Sequence, residues 1–421
     1  MKVLWLCSIV PDVVAKDLNL NATVAGGWIN GALRAVAERM DIQIAVCFPQ
    51  SKTQELLSGT VGSIRYYGFP SLLQKSHRYD AVLEQWMQKI LTDYQPDVTH
   101  IWGTEFPHSL AMMKVHRDPD RICISIQGLC SMIAKHSRAF VPENVVYSWT
   151  LRDLLRWDNL YLQSRKFAMR GANEVQALSL CKHIIGRTQW DYACTQQLAP
   201  DAVYHKCNET LRDEFYLKAG VWSLEKCEKH SIFVSQTGSS LKGFHLVLEA
   251  MPEILKRYPD AILHTTGVNP AQMPVYKRSA YHKYLLRLIE KFGLKDNVKF
   301  LGVLAEKDMC AQYLRSNVFV SASSIENSPN SVAEAMMLGL PIVASFVGGT
   351  MDLLKDKVEG YLYQADAPYM LAHYVCEVFE NTMQANEMGR NAYFHAKLTH
   401  DKSENLQQLL RIYEHILYST I

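Results

Sequence analysis

The chain has 421 residues, enough for about two domains with a core each. Hydrophobic content of 48%, charged content of 20% and a net charge of +2, with acids and bases interspersed, are those of an ordinary globular protein and give no argument for nucleic acid. The 10 cysteines form no C-x-x-C pair, which argues against a zinc motif or disulfide framework and reads as small buried residues in a reducing compartment.

The first half alternates strands and helices, the pattern of a parallel sheet covered on both faces. Residues 2–9 read as a buried strand. Their apolar run stops at Pro11-Asp12 without a small-residue cleavage site, which argues against a signal peptide. A loop containing Ala25-Gly26-Gly27-Trp28 opens a helix over 28–40, followed by a strand at 42–48. An amphipathic helix at 79–94 and strands at 97–102 and 121–127 come next. Asp118-Pro119-Asp120 has the D-x-D spelling of a metal motif, but it precedes a strand instead of following one, and a proline-centred turn accounts for it. The stretch 145–171 reads as helical, with one core face and one solvated basic face carrying Arg152, Arg156, Arg165, Lys166 and Arg170. A strand at 182–186 leads into a helix opened by Thr188, and this first domain ends at 208. The second domain, 209–399, restarts with a strand at 231–235, a turn at 239–243, a helix at 244–257 and a strand at 261–266. A last helix over 403–418 aligns Leu406, Leu409, Leu410, Tyr413 and Ile416 on one face, and the terminal segment 400–421 is expected to pack back on the first domain. No run reaches the length of a membrane span, so the expected location is the cytoplasm, at the inner face of a membrane if the acceptor is lipid-linked.

The most informative stretch is 317–350, NVFVSASSIENSPNSVAEAMMLGLPIVASFVGGT. It reads as strand, polar loop, helix, strand and glycine turn. Ser328 is suited to cap the helix with Pro329 in its first position, Gly339 to end it and Pro341 to prevent its continuation. A helix N-terminus following a parallel strand is an anion site. Glu326 stands before that N-terminus and Glu334 inside the helix, with seven residues between them. Carboxylates flanking an anion site suit sugar hydroxyls, so the stretch could hold a diphosphate on amides and two sugars on acids, the make-up of a nucleotide-sugar.

These residues, with NVKFLGVL at 297–304, LRSNVFVSAS, EAMMLGLPIVAS and the VGG turn, resemble the E-x7-E signature of retaining family 4 glycosyltransferases over about residues 230–365. The resemblance implies the GT-B fold: two doubly wound Rossmann-like α/β domains facing across a cleft, closing to assemble the site. It implies transfer of a sugar from a nucleoside diphosphate donor, a UDP-sugar being the first choice, to a saccharide or lipid-linked saccharide acceptor in surface-polysaccharide assembly. Glu326 and Lys242 carry the catalytic roles, and Glu334, Asn330 and Ser331 bind the donor. Lys242-Gly243 matches the family's diphosphate-binding K-G pair. The usual arginine before it is absent: Gln236 stands near that position, and Arg187 or Arg212 could supply the missing cation. Gly26-Gly27 resembles the glycine loop of the family's first domain. Gln127 occupies a place where many members carry a histidine beside the donor sugar, and glutamine cannot carry a proton. His136, with Lys135 and Arg138 beside it, and His100 are further first-domain candidates. No metal or other cofactor is expected, and no His, Asp and Glu spacing suggests a metal site. Competing readings are a non-catalytic nucleotide-sugar-binding partner subunit, favoured by the missing arginine, and another GT-B enzyme such as a nucleotide-sugar epimerase. A Rossmann dehydrogenase is disfavoured because no G-x-G-x-x-G follows the first strand. Acceptor contacts are expected from 10–23 and 131–144. Base, sugar, linkage and oligomeric state are not specified.

Overall fold

The computed structural model describes residues 1–20, 26–51, 53–71 and 77–418. Residues 21–23 of the expected acceptor loop, and Ala25 of the glycine turn, lie outside the described residues. The chain forms two compact units. One comprises Met1–Ala134, Lys166–Arg212 and the chain from His400 onward; the other comprises Lys135–Arg165 and Asp213–Thr399.

The first unit is built on eight strands, β1 (Lys2–Cys7), β2 (Gln43–Gln50), β3 (Leu57–Val61), β4 (Ile64–Pro70), β5 (Val98–Trp102), β6 (Ile122–Ser125), β7 (His183–Gly186) and β8 (Val203–Lys206). Their order is β3-β4-β2-β1-β5-β6-β7-β8. All neighbours are parallel except β3 and β4, an antiparallel edge hairpin not expected from the sequence, where Leu57–Val61 holds only two apolar residues, at its ends. The strand order reverses between β1 and β5, and ligands of open α/β sheets bind at the carboxyl ends of such a switch point. Central β1 is buried beyond its first residue, as a strand covered on both faces requires.

The final helix, Lys402–Tyr418, lays Leu409, Ile412, Tyr413 and Ile416 against Val3, Trp5, Val46 and Ile185 of this sheet. A buried polar chain fixes its position. The Trp5 indole N–H donates to the Tyr413 hydroxyl at 2.9 Å, and the His100 ring lies 2.7 Å from both that hydroxyl and Ser125 Oγ. Burial pushes the His100 pKa down to about 3, so this imidazole is neutral and structural.

The second unit holds six parallel strands, β9 (Ser231–Val234), β10 (Ile262–Thr265), β11 (Val298–Phe300), β12 (Val318–Ser321), β13 (Ile342–Ser345) and β14 (Tyr361–Tyr363), in the order β11-β10-β9-β12-β13-β14. This is the doubly wound order with its switch point between β9 and β12. Helix Phe244–Arg257 buries Phe244, Val247, Leu248, Met251 and Ile254 against β9 and β10.

Assignment of 135–165 to the second unit departs from a first domain running unbroken to 208. Val141, Val145, Val146 and Leu160 belong to the second unit's core, the His245 ring meets the Ala139 carbonyl at 2.8 Å, and Asp153 accepts from the Ala280 amide at 2.9 Å. The long helix expected at 145–171 is also broken. Thr150 opens a short helix, Leu151–Arg156, through a capping box with Asp153, and Trp157 ends it in the left-handed region at φ 49. Helix Leu160–Ser179 then starts afresh.

Candidate functional site

In the second unit the loops after β9 and β12 carry the residues that the sequence singled out. Ser239 starts a single 3-10 turn, Ser240–Lys242, by accepting from the Leu241 amide, and Gly243 follows at φ 66. A Cβ on Gly243 would drive into the Ala322 carbonyl, so only glycine lets this turn press against the end of β12. That approach brings Lys242 Nζ to Glu326 Oε1 at 2.5 Å, and the Ser323 hydroxyl donates to the same oxygen at 2.7 Å. Glu326 is 13% exposed and Lys242 35%. The Glu326 backbone is held from the far side, where its carbonyl accepts from the Gly349 amide at 3.1 Å. A Cβ on Gly348, at φ 50, would collide with that carbonyl, which explains the glycine pair of the VGG turn. Ser345 Oγ donates to the Ser323 carbonyl at 2.6 Å and completes the frame.

Helix Asn330–Leu338 begins one residue later than the sequence suggested. Pro329 is its N-cap and Ser328 lies in the preceding bend, because φ of −71° and ψ of 109° keep Pro329 extended. Pro329 has no polar side-chain atom to cap this first turn, so the amide end at Asn330 and Ser331 presents its positive dipole to a ligand. Gly339 ends the helix at φ 80, and Glu334 is buried within it. Gln236 is exposed after β9. His136 is also exposed in side chain, while its carbonyl accepts from Ser324 Oγ at 3.3 Å. Lys242, Glu326, Asn330, Ser331 and Glu334 therefore share the two switch-point loops and the helix they introduce. Their chemistry is that of a cation and an unspent helix dipole for anionic oxygens, with carboxylates for hydroxyls.

The remaining candidates lie in the first unit. Gly26, at φ 90, caps helix Gly27–Ala37 after β1, and Gly27 lies against the Arg212 side chain. Arg187 is buried. Its guanidinium contacts Glu209 at 2.5 Å and the Ile126 carbonyl at 3.1 Å, so its charge is already matched. The Gln127 amide donates to the other Glu209 oxygen at 2.5 Å. Gln127 and Arg187 thus converge on one carboxylate, and Arg212 is the cation that stands at the glycine turn.

Glu105 did not stand out in the sequence; it lies in the loop after β5 and so beside the first unit's switch point. Burial pushes its carboxyl up to about 7, helped by the neighbouring Glu174. Glu174 is itself raised by burial while accepting from Thr104 Oγ, the Cys130 and Ser131 amides and Ser131 Oγ. An acid directly after a parallel strand was the available signal. The segment read as having a solvated basic face also differs from expectation. Trp149, Leu151, Leu154, Leu155 and Trp157 are outward, with Leu155 76% and Trp157 64% exposed, among exposed Arg138, Arg156 and Arg165. The short helix buries Asp153 instead and leaves its leucines unpartnered within the second unit.

Residues 221–395 match the family model "Glycosyl transferases group 1". The chain carries a group 1 glycosyltransferase domain. This domain contains the β9 and β12 loops and all five residues of the second-unit site. Spore coat protein SA of Bacillus subtilis (strain 168) is 26% identical over 189 residues, covering 44% of this chain and 49% of that protein. The chain spans about half the length of the curated relatives it matches. Solved structures extend the likeness to the fold of the whole chain. Sucrose-phosphate synthase from Thermosynechococcus elongatus gives a TM-score of 0.71 at 14% identity, covering 100% of both chains. Anabaena Alr3699/HepE in complex with UDP-glucose gives 0.65 at 16% identity, covering 98% of this chain and 99% of that one. The fold is GT-B, with the group 1 domain as its second α/β unit. Among the described residues no helix is long and apolar enough to cross a membrane.

Proposed function

We propose that the protein is a retaining glycosyltransferase that moves a sugar from a nucleoside diphosphate donor to a saccharide or lipid-linked saccharide acceptor in surface-polysaccharide assembly. The observation that carries this reading is the meeting of Lys242 and Glu326 beside the uncapped helix end at Asn330. Lys242 and the amides of Asn330 and Ser331 hold the diphosphate, and their fixed charge gains most as negative charge develops on the leaving group. Glu334 accepts from the ribose hydroxyls and Glu326 from those of the transferred sugar. The acceptor oxygen bonds to the anomeric carbon on the face that the diphosphate leaves, and the departing phosphate takes the acceptor proton. No protein nucleophile and no metal is required on this route. The Anabaena relative's complex with UDP-glucose supports uridine as the first base to test. The exposed Trp149–Trp157 stretch with its flanking arginines supports a lipid-linked acceptor at an anionic membrane surface.

The test is calorimetric binding of UDP, GDP, ADP, CDP and dTDP to the wild type and to Glu334→Ala. One nucleotide is expected to bind, with affinity reduced at least about tenfold in the variant, the loss of a charge-assisted hydrogen bond. Equal binding by both proteins would refute the donor site. Binding without turnover of any sugar and acceptor pair would favour the partner-subunit reading, to which Gln236 in the arginine position points.

A further inference from the structure

Three histidines far apart in the sequence meet on one face of the first sheet. β7 and β8 are parallel, with His183 opposite Val203 and Ile185 opposite His205. Side chains two apart on a strand share a face, so His183 and His205 are diagonal neighbours on the face that carries Ile185. The final helix packs over that face through Leu409, Ile412, Tyr413 and Ile416, and its next polar position near the sheet edge is His415. His183 Nδ1 lies 3.1 Å from His205 Nε2, and one ring nitrogen from each of the three lies within 4.8 Å of the others. Among the described residues this is the one His, Cys, Asp or Glu cluster with metal-ligand geometry.

We propose that His183, His205 and His415 bind a borderline-soft divalent cation of the Zn2+ class, which ties the final helix to the β7–β8 edge. Three imidazoles suit Zn2+, Ni2+ or Cu2+ and disfavour Mg2+ and Ca2+, which take oxygen ligands. Nitrogens bound to one tetrahedral Zn2+ at about 2.0–2.1 Å stand roughly 3.3 Å apart, close to the spacing that His183 and His205 already hold. The third ligand needs only a side-chain adjustment, since His415 is exposed on the helix surface while His183 is buried and His205 half-buried. The Asp118 side chain accepts from the Asp120 amide and holds the turn that leads into β6, so Asp118-Pro119-Asp120 is a turn and not a D-x-D ligand pair. The cluster lies at the β7–β8 edge, away from the loops after β1 and β5. Its role is therefore structural and independent of the proposed donor site.

The experiment uses the full chain stripped with a chelator and titrated with Zn2+ by calorimetry, with thermal unfolding followed at each stoichiometry. One Zn2+ per chain is expected, with a raised Tm. Affinity should fall at least about tenfold in both His415→Gln and His205→Gln, by comparison with the 10–100-fold cost of removing even an outer-shell partner. Because the chain has 10 cysteines, Co2+ replaces Zn2+ in a parallel absorption measurement. A ligand set of nitrogen and oxygen gives d–d bands without thiolate charge transfer. His415 is exposed, so its glutamine variant tests the site without disturbing the core. Absence of saturable Zn2+ binding, wild-type affinity in either variant, or thiolate bands with Co2+ would overturn the proposal.

Discussion

Glu326→Gln separates the two tasks assigned to the second-unit loops. Glu326 holds Lys242 at 2.5 Å, with the lysine about a third exposed. Two unit charges about 4 Å apart attract by about 4 kcal/mol at an effective dielectric of 20. Exposure of the ammonium lowers the net value to about 1 kcal/mol. A diphosphate arriving at Lys242 meets a cation that the Glu326 carboxylate already engages. Glutamine keeps the size and an acceptor for Ser323 Oγ while removing that charge. UDP is therefore expected to bind about fivefold tighter to Glu326→Gln, the equivalent of 1 kcal/mol. Sugar transfer should nonetheless fall by at least about a hundredfold, since hydrogen bonds from donor hydroxyls to a charged acceptor, worth about 1.5–3 kcal/mol each, are weakened. Lys242→Met should raise the UDP Kd by about ten- to a hundredfold, and the double variant should show only this loss. Calorimetry at two ionic strengths checks the sign, because the gain from Glu326→Gln should shrink with added salt. Weaker UDP binding by Glu326→Gln, or an undiminished gain in the Lys242→Met background, would refute the reasoning.

Glu105→Gln should alter the pH dependence of stability. The native carboxyl titrates at about 7 against an ordinary value of 4.5, so the folded chain retains a proton that the unfolded chain has released. This contribution is fully present below pH 4.5 and is lost as pH rises through 7, so wild-type stability declines across that window. The variant should lack the decline and unfold with a ΔG about 2 kcal/mol higher at pH 8, after discount for the backbone hydrogen bonds the carboxylate accepts; parallel declines in urea titrations of both proteins would contradict this. Gly243→Ala should lose UDP binding by at least about tenfold, with a destabilisation of about 1–3 kcal/mol, because its backbone is left-handed and its Cβ would meet Ala322; wild-type calorimetry and Tm would count against the role of that turn. Replacing exposed Leu155 and Trp157 together by serine should leave the Tm unchanged and abolish co-sedimentation with anionic vesicles. Retention of vesicle binding in the double variant would assign membrane contact elsewhere.

Local chemistry made much of this protein readable from its residues. The chain from β12 to the VGG turn follows its own punctuation: a β-branched run, a proline ahead of a helix, Gly339 at its end and Ile342–Ser345 beyond. Thr188 capped its helix through Asp191 as its residue type suggests, and helix Phe244–Arg257 kept its predicted bounds. Glu326 and Glu334 stood out because the strand–loop–helix unit after β12 that carries them is local, and Lys242 because its turn after β9 is equally local. These are interactions among residues close in the chain, whose conformational preferences act before any tertiary contact forms.

What the sequence determined by itself was thus the alternating architecture and the donor-like motif. Tertiary structure decided what depends on partners distant in the chain. It gave Arg187 to Glu209, leaving Arg212 at the glycine turn, and it raised the Glu105 carboxyl by burying it near Glu174. It moved 135–165 into the second unit, where Val145 and Val146 find a core and the leucines of Leu151–Arg156 remain outside. It also gathered His183, His205 and His415, which no spacing connects. Charge matching, desolvation and the choice of buried face are set by which residues become neighbours, and only the folded chain specifies that.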